Sequence, residues 1–162
     1  MFKNLELKTN SSHEGFTLIE LLVVIAIIVL LMAISIFGLS GARESSRDQR
    51  RKSDLESVRS ALEIYRADCD AYPPNSGSGS FTFGGVMNGK NASGKCLTSY
   101  IYMQKVPTDP GSAAYRYNQT GGGTGYELCS TLEKPPGGTT AANCGGSTGC
   151  GSATCYYKAV NP

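Results

Sequence analysis

Gly15-Phe16-Thr17-Leu18-Ile19-Glu20 runs straight into Leu21 to Ile34 without a polar side chain. The whole apolar stretch extends from Phe16 to Leu39, interrupted by Thr17, Glu20, Ser35 and Gly38. A membrane-spanning helix needs about 20 mainly apolar residues, so this stretch is long enough. One carboxylate near its start is the anomaly. Ionised groups inside a bilayer are costly, rare and usually partnered. A buried ion pair adds little net stability, yet breaking it is strongly destabilising, which suits a register-fixing device between subunits. The plainer alternative places Glu20 at the membrane interface, reaching water.

The hexapeptide Gly15 to Glu20, the short polar leader before it, the apolar run and the polar helix behind it together resemble type IV prepilins and type II secretion pseudopilins. The resemblance implies cleavage after Gly15 by a membrane-embedded prepilin peptidase and methylation of the new N-terminal Phe16. It also implies that Glu20 pairs with the N-terminal amine of a neighbouring subunit during assembly. The leader, Met1 to Gly15, is polar, with Lys3 and Lys8 offset by Glu6 and Glu14. A secretory signal peptide has its apolar region ahead of the cut. Here the apolar region follows the cut and is retained. Pilins often carry Pro near the position of Phe37. This chain has none there, so Gly38 and Gly41 are the expected weak points, each costing roughly 1 kcal/mol of helix stability.

From Ala42 the chain becomes charged but remains helix-compatible. Leu55, Val58, Leu62 and Tyr65 recur at three- and four-residue spacing, with Ala61 and Ile64 beside them, an amphipathic stripe. Asp48–Lys52 and Lys52–Glu56 have the four-residue spacing that supports an exposed helix. The reading is one helix from Phe16 to about Asp68, stopped by Pro73-Pro74. Arg43, Arg47, Arg50, Arg51 and Lys52 form a basic block, but Glu44, Asp48, Asp54 and Glu56 interleave with it. A nucleic-acid footprint shows clustered, uncompensated base. The block therefore reads as a solvated or subunit-contacting face, and the net charge of +2 agrees.

After Cys69 the composition shifts to Gly, Ser, Thr, Asn and Tyr. All of the 20 glycines except Gly15, Gly38 and Gly41 lie beyond residue 70. Asn75 to Gly94 reads as a Gly/Ser-rich connection, and Lys95 to Met103 as one short helix. Tyr115–Gln119, Tyr126–Leu132 and Cys155–Val160 read as strands bounded by glycine clusters and by the turn Val106 to Gly111. Two stretches extend the resemblance to major pseudopilins: Leu62 to Asp68 followed by Tyr72-Pro73, and Val106 to Gly111 followed by Tyr115. Little beyond Gly121 matches.

Cys69, Cys96, Cys129, Cys144, Cys150 and Cys155 all follow the apolar segment. An even number in a small glycine-rich domain argues for three disulfides in an oxidising compartment. Position suggests Cys69 with Cys96, Cys129 with Cys155 across neighbouring strands, and Cys144 with Cys150. Zinc and haem lack their spacings, since there is no Cys-x-x-Cys and His13, the only histidine, lies in the leader. Major pseudopilins commonly bind calcium through an Asp-rich C-terminal loop. Calcium takes about six to eight oxygen ligands, and beyond Asp70 only Asp109, Glu127 and Glu133 are acidic, so no metal site is expected. Asn91-Ala92-Ser93 and Asn118-Gln119-Thr120 match the N-glycan acceptor pattern. Without histidine in the mature chain, no His-based triad can be built.

The chain thus reads as an α+β prepilin with the ladle architecture. Residues 1–15 are a removed leader, 16–39 a transmembrane and filament-core helix, and 40–70 an amphipathic stalk. Residues 71–162 form a disulfide-stapled head, with a connecting loop over 71–105 and a sheet over 106–162. It needs no cofactor and is not an enzyme. Its expected partners are copies of itself, other pilins or pseudopilins, the peptidase, an inner-membrane assembly platform and lipid. The function is a structural subunit of a type IV pilus or a secretion pseudopilus, its head outside the cytoplasm. The alternatives are a single-pass surface binding protein and a component of DNA uptake.

Overall fold

The computed structural model describes residues 15–91 and 93–161, and of residues 36–38 only the backbone. The leader as far as Glu14, His13 with it, the Phe37 side chain and Ala92 of the first acceptor pattern lie outside the described residues. The chain divides into two compact units, Met1–Ser40 and Gly41–Pro162. One helix, α1 (Leu18–Cys69), contributes to both. It starts two residues after Phe16 and runs unbroken through Gly38 and Gly41.

In the first unit, Leu18–Ser35 has a mean hydropathy of 3.1 and none of it is buried. A helix that is apolar all round is either a core helix or a membrane span. Leu21, Ile25 and Leu30 are all open, and the helix is long and apolar enough to cross a membrane. The polar hydroxyl of Ser35 donates to the Leu31 carbonyl at 2.9 Å, so it is satisfied within the helix.

The second unit is built on the predicted stripe. Leu55, Val58, Ala61, Leu62, Tyr65 and Cys69 are buried. Ile64 is not part of it. It stands about 200° around the helix from Leu62 and is 57% exposed. Asp70 adopts a left-handed conformation, φ 59°, and its N–H bonds to the Arg66 carbonyl at 2.9 Å, closing the helix ahead of the two prolines.

Among the described residues seven short strands follow: β1 (Met87–Asn88), β2 (Ile101–Met103), β3 (Arg116–Thr120), β4 (Gly125–Ser130), β5 (Gly149–Cys150), β6 (Ala153–Thr154) and β7 (Tyr157–Val160). The main sheet is antiparallel, in the order β3-β4-β7. All three of its strands fall where composition placed them, to within two residues. β1 pairs with β2, and β5 with β6.

The short helix expected over 95–103 does not form. Cys96 is left-handed at φ 60°, which a right-handed helix cannot accommodate, and it is bridged to Cys69. Residues 101–103 pair with β1 instead. Gly89 lies so close to this turn that a Cβ would fall 2.2 Å from the Leu97 carbonyl oxygen.

The glycine-rich connection is also more than a linker. Its Phe81 and Phe83 pack on Tyr117 and Tyr115, with ring centroids 4.8 and 5.5 Å apart. Tyr72 stacks edge-on to Tyr126 at 4.6 Å, and both hydroxyls donate to Glu63 at 3.0 and 3.2 Å. Tyr115 donates to Asp54 at 2.8 Å. Aromatic rings with satisfied hydroxyls thus supply the bulk of a small core.

Candidate functional site

The residues of the hexapeptide are the first described ones. Gly15 has open space where a Cβ would sit, and Phe16 is 90% exposed, so nothing among the described residues shields the bond between them. Thr17 and Glu20 form a capping box. The Thr17 N–H and hydroxyl donate to Glu20 Oε2 at 2.9 and 2.7 Å, and the Glu20 N–H reaches back to Thr17 Oγ1 at 3.3 Å. Two orphan donors at the helix start are satisfied reciprocally, and the carboxylate also favours the positive end of the helix dipole. The sequence reading misses this role, although a Thr three residues before a Glu at the start of an apolar run is its signature.

The six cysteines form three disulfides. Cys69–Cys96 is as expected. The other two differ from the expected pairs: Cys129 bonds Cys144 and Cys150 bonds Cys155. Strand register explains the correction. β4 and β7 align Cys129 opposite Lys158, not Cys155. Cys155 precedes β7, and its N–H bonds to the Thr148 carbonyl at 2.7 Å, folding it against the β5–β6 hairpin. Cys144 is drawn to β4 by its neighbours: the Gly145 N–H reaches Glu127 at 2.8 Å, and Lys158 Nζ reaches the Asn143 carbonyl at 3.0 Å. All four sulfurs lie in one buried cluster.

The basic block is not uniformly a solvated face. Arg51 is 2% exposed. Its Nε and Nη2 donate to the two oxygens of Asp109 at 2.7 and 3.1 Å, and its Nη1 to Asp48 and Glu133, both at 2.8 Å. Arg47 also forks onto Glu133. The hydrogen bonds to Asp109 hold the Arg51 guanidinium above its ordinary pKa. Hydrogen bonds from Arg47 and then Arg51 pull Glu133 down from 4.5 to about 2. A depressed carboxylate contributes stability that is complete above its ordinary pKa and lost as pH falls through the depressed one. The unmodified protein is therefore expected to lose head stability between about pH 4.5 and pH 2. Glu133→Gln should flatten that part of the curve, read by near-ultraviolet tyrosine dichroism under denaturant. An unchanged slope would remove Glu133 from the account.

An exposed apolar helix with a capped start in one unit, and an amphipathic helix packed on a small disulfide-stapled antiparallel sheet in the other, define an α+β pilin-like subunit. The family "Type II secretion system (T2SS), protein G" matches residues 39–144, and the "Prokaryotic N-terminal methylation motif" matches residues 10–36. The type II secretion system core protein G of Escherichia coli is 30% identical over 125 residues, 76% of this chain and 84% of that protein. Its namesake in Vibrio cholerae is 27% identical over 115 residues, covering 71% and 77%. The one in Pectobacterium carotovorum is 41% identical over 61 residues, covering 38% and 39%. No solved structure matches significantly. The chain belongs to the protein G family of type II secretion systems.

Proposed function

We propose that this chain is the structural subunit of a type II secretion pseudopilus, polymerising through α1 after cleavage between Gly15 and Phe16. The observation that carries the reading is the coincidence of two features in one chain. A processing hexapeptide opens an apolar helix with no burial of its own, and a head of the protein G family follows it. Residues 1–15 are the leader, 16–39 the membrane and filament-core helix, 40–70 the stalk and 71–162 the head. The partners are further pseudopilins, a prepilin peptidase, an inner-membrane assembly platform and lipid. The role is structural, without catalysis. The head sits outside the cytoplasm, in keeping with three disulfides. The family favours a secretion pseudopilus over a retractile pilus. DNA uptake is disfavoured, because Arg47 and Arg51 are spent on carboxylates of the same chain.

The test is processing and filament formation in a host expressing a secretion gene set. Sheared filaments should contain the chain, and intact mass should show it beginning at methylated Phe16. Gly15→Leu should leave the chain starting at Met1 and absent from filaments, because a side chain at the cut obstructs a protease that accepts glycine. Filaments built from uncut chains would sink the processing claim. A processed protein that never polymerises would favour the surface-binding alternative.

A further inference from the structure

Between Gly41 and Asp54, α1 places no apolar side chain in the core. Its buried residues there are Asp48 and Arg51, and apolar burial begins at Leu55. The segment docks mainly through hydrogen bonds and ion pairs to two others, with the Tyr115 hydroxyl donating to Asp54 at 2.8 Å and Lys52 Nζ lying 5.9 Å over the Tyr157 ring as further contacts. One is the strap Thr131–Lys134 that leaves β4. The other is the turn Pro107–Gly111. Asp48 accepts the N–H groups of Glu133 and Lys134, each at 2.9 Å, along with Arg51 Nη1. Arg51 joins the strap through Glu133 and the turn through Asp109, whose Oδ1 also takes the Gly111 N–H at 2.7 Å. Lys134 Nζ reaches the Gly41 carbonyl at 3.2 Å and Glu44 at 3.5 Å.

Such a seam is a poor choice for stability alone, since well-packed apolar residues in place of buried ion pairs are often neutral or better. It differs from an apolar dock in two respects. It has one register, because a shift leaves several charges buried and unpaired. It also has a soluble open state. Every exposed group of residues 41–54 is polar, charged or alanine, so undocking uncovers ions that water solvates and no large apolar side chain from the helix. Leu55 onward lacks that option, because releasing it would strip Leu55, Val58, Leu62 and Tyr65 from the core.

We infer that the Asp48–Arg51–Asp109–Glu133 cluster is a latch, holding helical residues 41–54 on the head and able to release them as a unit while residues 55–69 stay docked. The latch does not depend on the filament reading. If that reading holds, the latch places the segment that yields when a subunit is pulled at the start of the stalk, ahead of the apolar dock.

Hydrogen exchange followed by mass spectrometry on the full chain in detergent tests this. In the unmodified protein, residues 41–54 and 131–134 should exchange together and faster than 55–69, as a separately opening unit does. Glu133→Gln should raise exchange at 41–54 by on the order of tenfold or more, leaving 55–69 and 125–130 unchanged. Asp48→Asn should act on the same segment. Equal protection of 41–54 and 55–69 in the unmodified chain would overturn the latch without any variant. So would a variant response spread evenly over the head, or none at 41–54.

Discussion

Glu20→Ala is expected to abolish filament yield while the chain still accumulates in the membrane. In the proposed assembly the carboxylate meets a neighbour's N-terminal amine in an apolar setting. Removing one partner of such a pair costs about 3–5 kcal/mol, on the order of a hundred-fold or more in subunit affinity. Insertion should be unimpaired, because a costly charge leaves the apolar segment. The structure adds a second consequence. Glu20 also closes the capping box with Thr17, so alanine frays the first turn as well. Thr17→Ala separates the two effects. It removes the cap hydroxyl, worth about 1 kcal/mol, and keeps the carboxylate. Sheared-filament yield and electron microscopy should show Thr17→Ala retaining filaments and Glu20→Ala losing them. If both variants fail equally, the cap carries the phenotype. If both assemble normally, Glu20 is an interfacial residue with no assembly role.

The elements set by local chemistry were legible in the residues. The apolar run and the two prolines bound α1, the stripe from Leu55 to Tyr65 marks its packed face, and turn residues bracket the three strands of the main sheet. Cys69 and Cys96 could be paired because one ends a helix and the other ends the loop that must return to it. What stayed hidden depends on contacts between distant positions. Arg51 meets Asp109 and Glu133, 58 and 82 residues away. In the sequence Arg51 is one member of a charged block, and no periodicity distinguishes it from Arg50, which remains exposed. Helix phase alone places Asp48, Arg51 and Leu55 on one side. The block reads as a solvated or subunit-contacting face because interleaved charge is usually solvated. Here one member of each sign is buried against the other.

The glycine-rich region from Asn75 to Gly94 hides its packing for a related reason. Composition marks it as a connection, yet the two phenylalanines within it find the sheet's tyrosines. A small head has few other apolar groups to offer. The strand pairing of β1 with β2 spans only two or three residues each. Segments that short carry no readable alternation, so Lys95 to Met103 could be taken for a helix. The left-handed Cys96 decides against that.

The disulfides should set the stability of the head. Non-reducing peptide maps are expected to show Cys69–Cys96, Cys129–Cys144 and Cys150–Cys155. A Cys129–Cys155 peptide would contradict the register of β4 and β7, and six free thiols in extracytoplasmic material would end the stapling argument. The bridges span 27, 15 and 5 residues. By loop-closure entropy their removal costs about 3.5, 3 and 2 kcal/mol respectively. The first is therefore expected to matter most. Cys69→Ser with Cys96→Ser should lower head stability by about 3–4 kcal/mol, a large part of the 5–15 kcal/mol or so typical of a domain. Opening Cys150–Cys155 should cost the least, since its short loop constrains the unfolded chain little. Denaturant titration of the full chain in detergent, followed by tyrosine dichroism, reads these differences. The far-ultraviolet helix signal from the apolar segment should persist throughout, because its hydrogen bonds are internal to α1 and owe nothing to the sheet. A reversed ranking, with the five-residue bridge dominating, would mean that the β5–β6 hairpin, not the Cys69–Cys96 bridge to the stalk, limits the head.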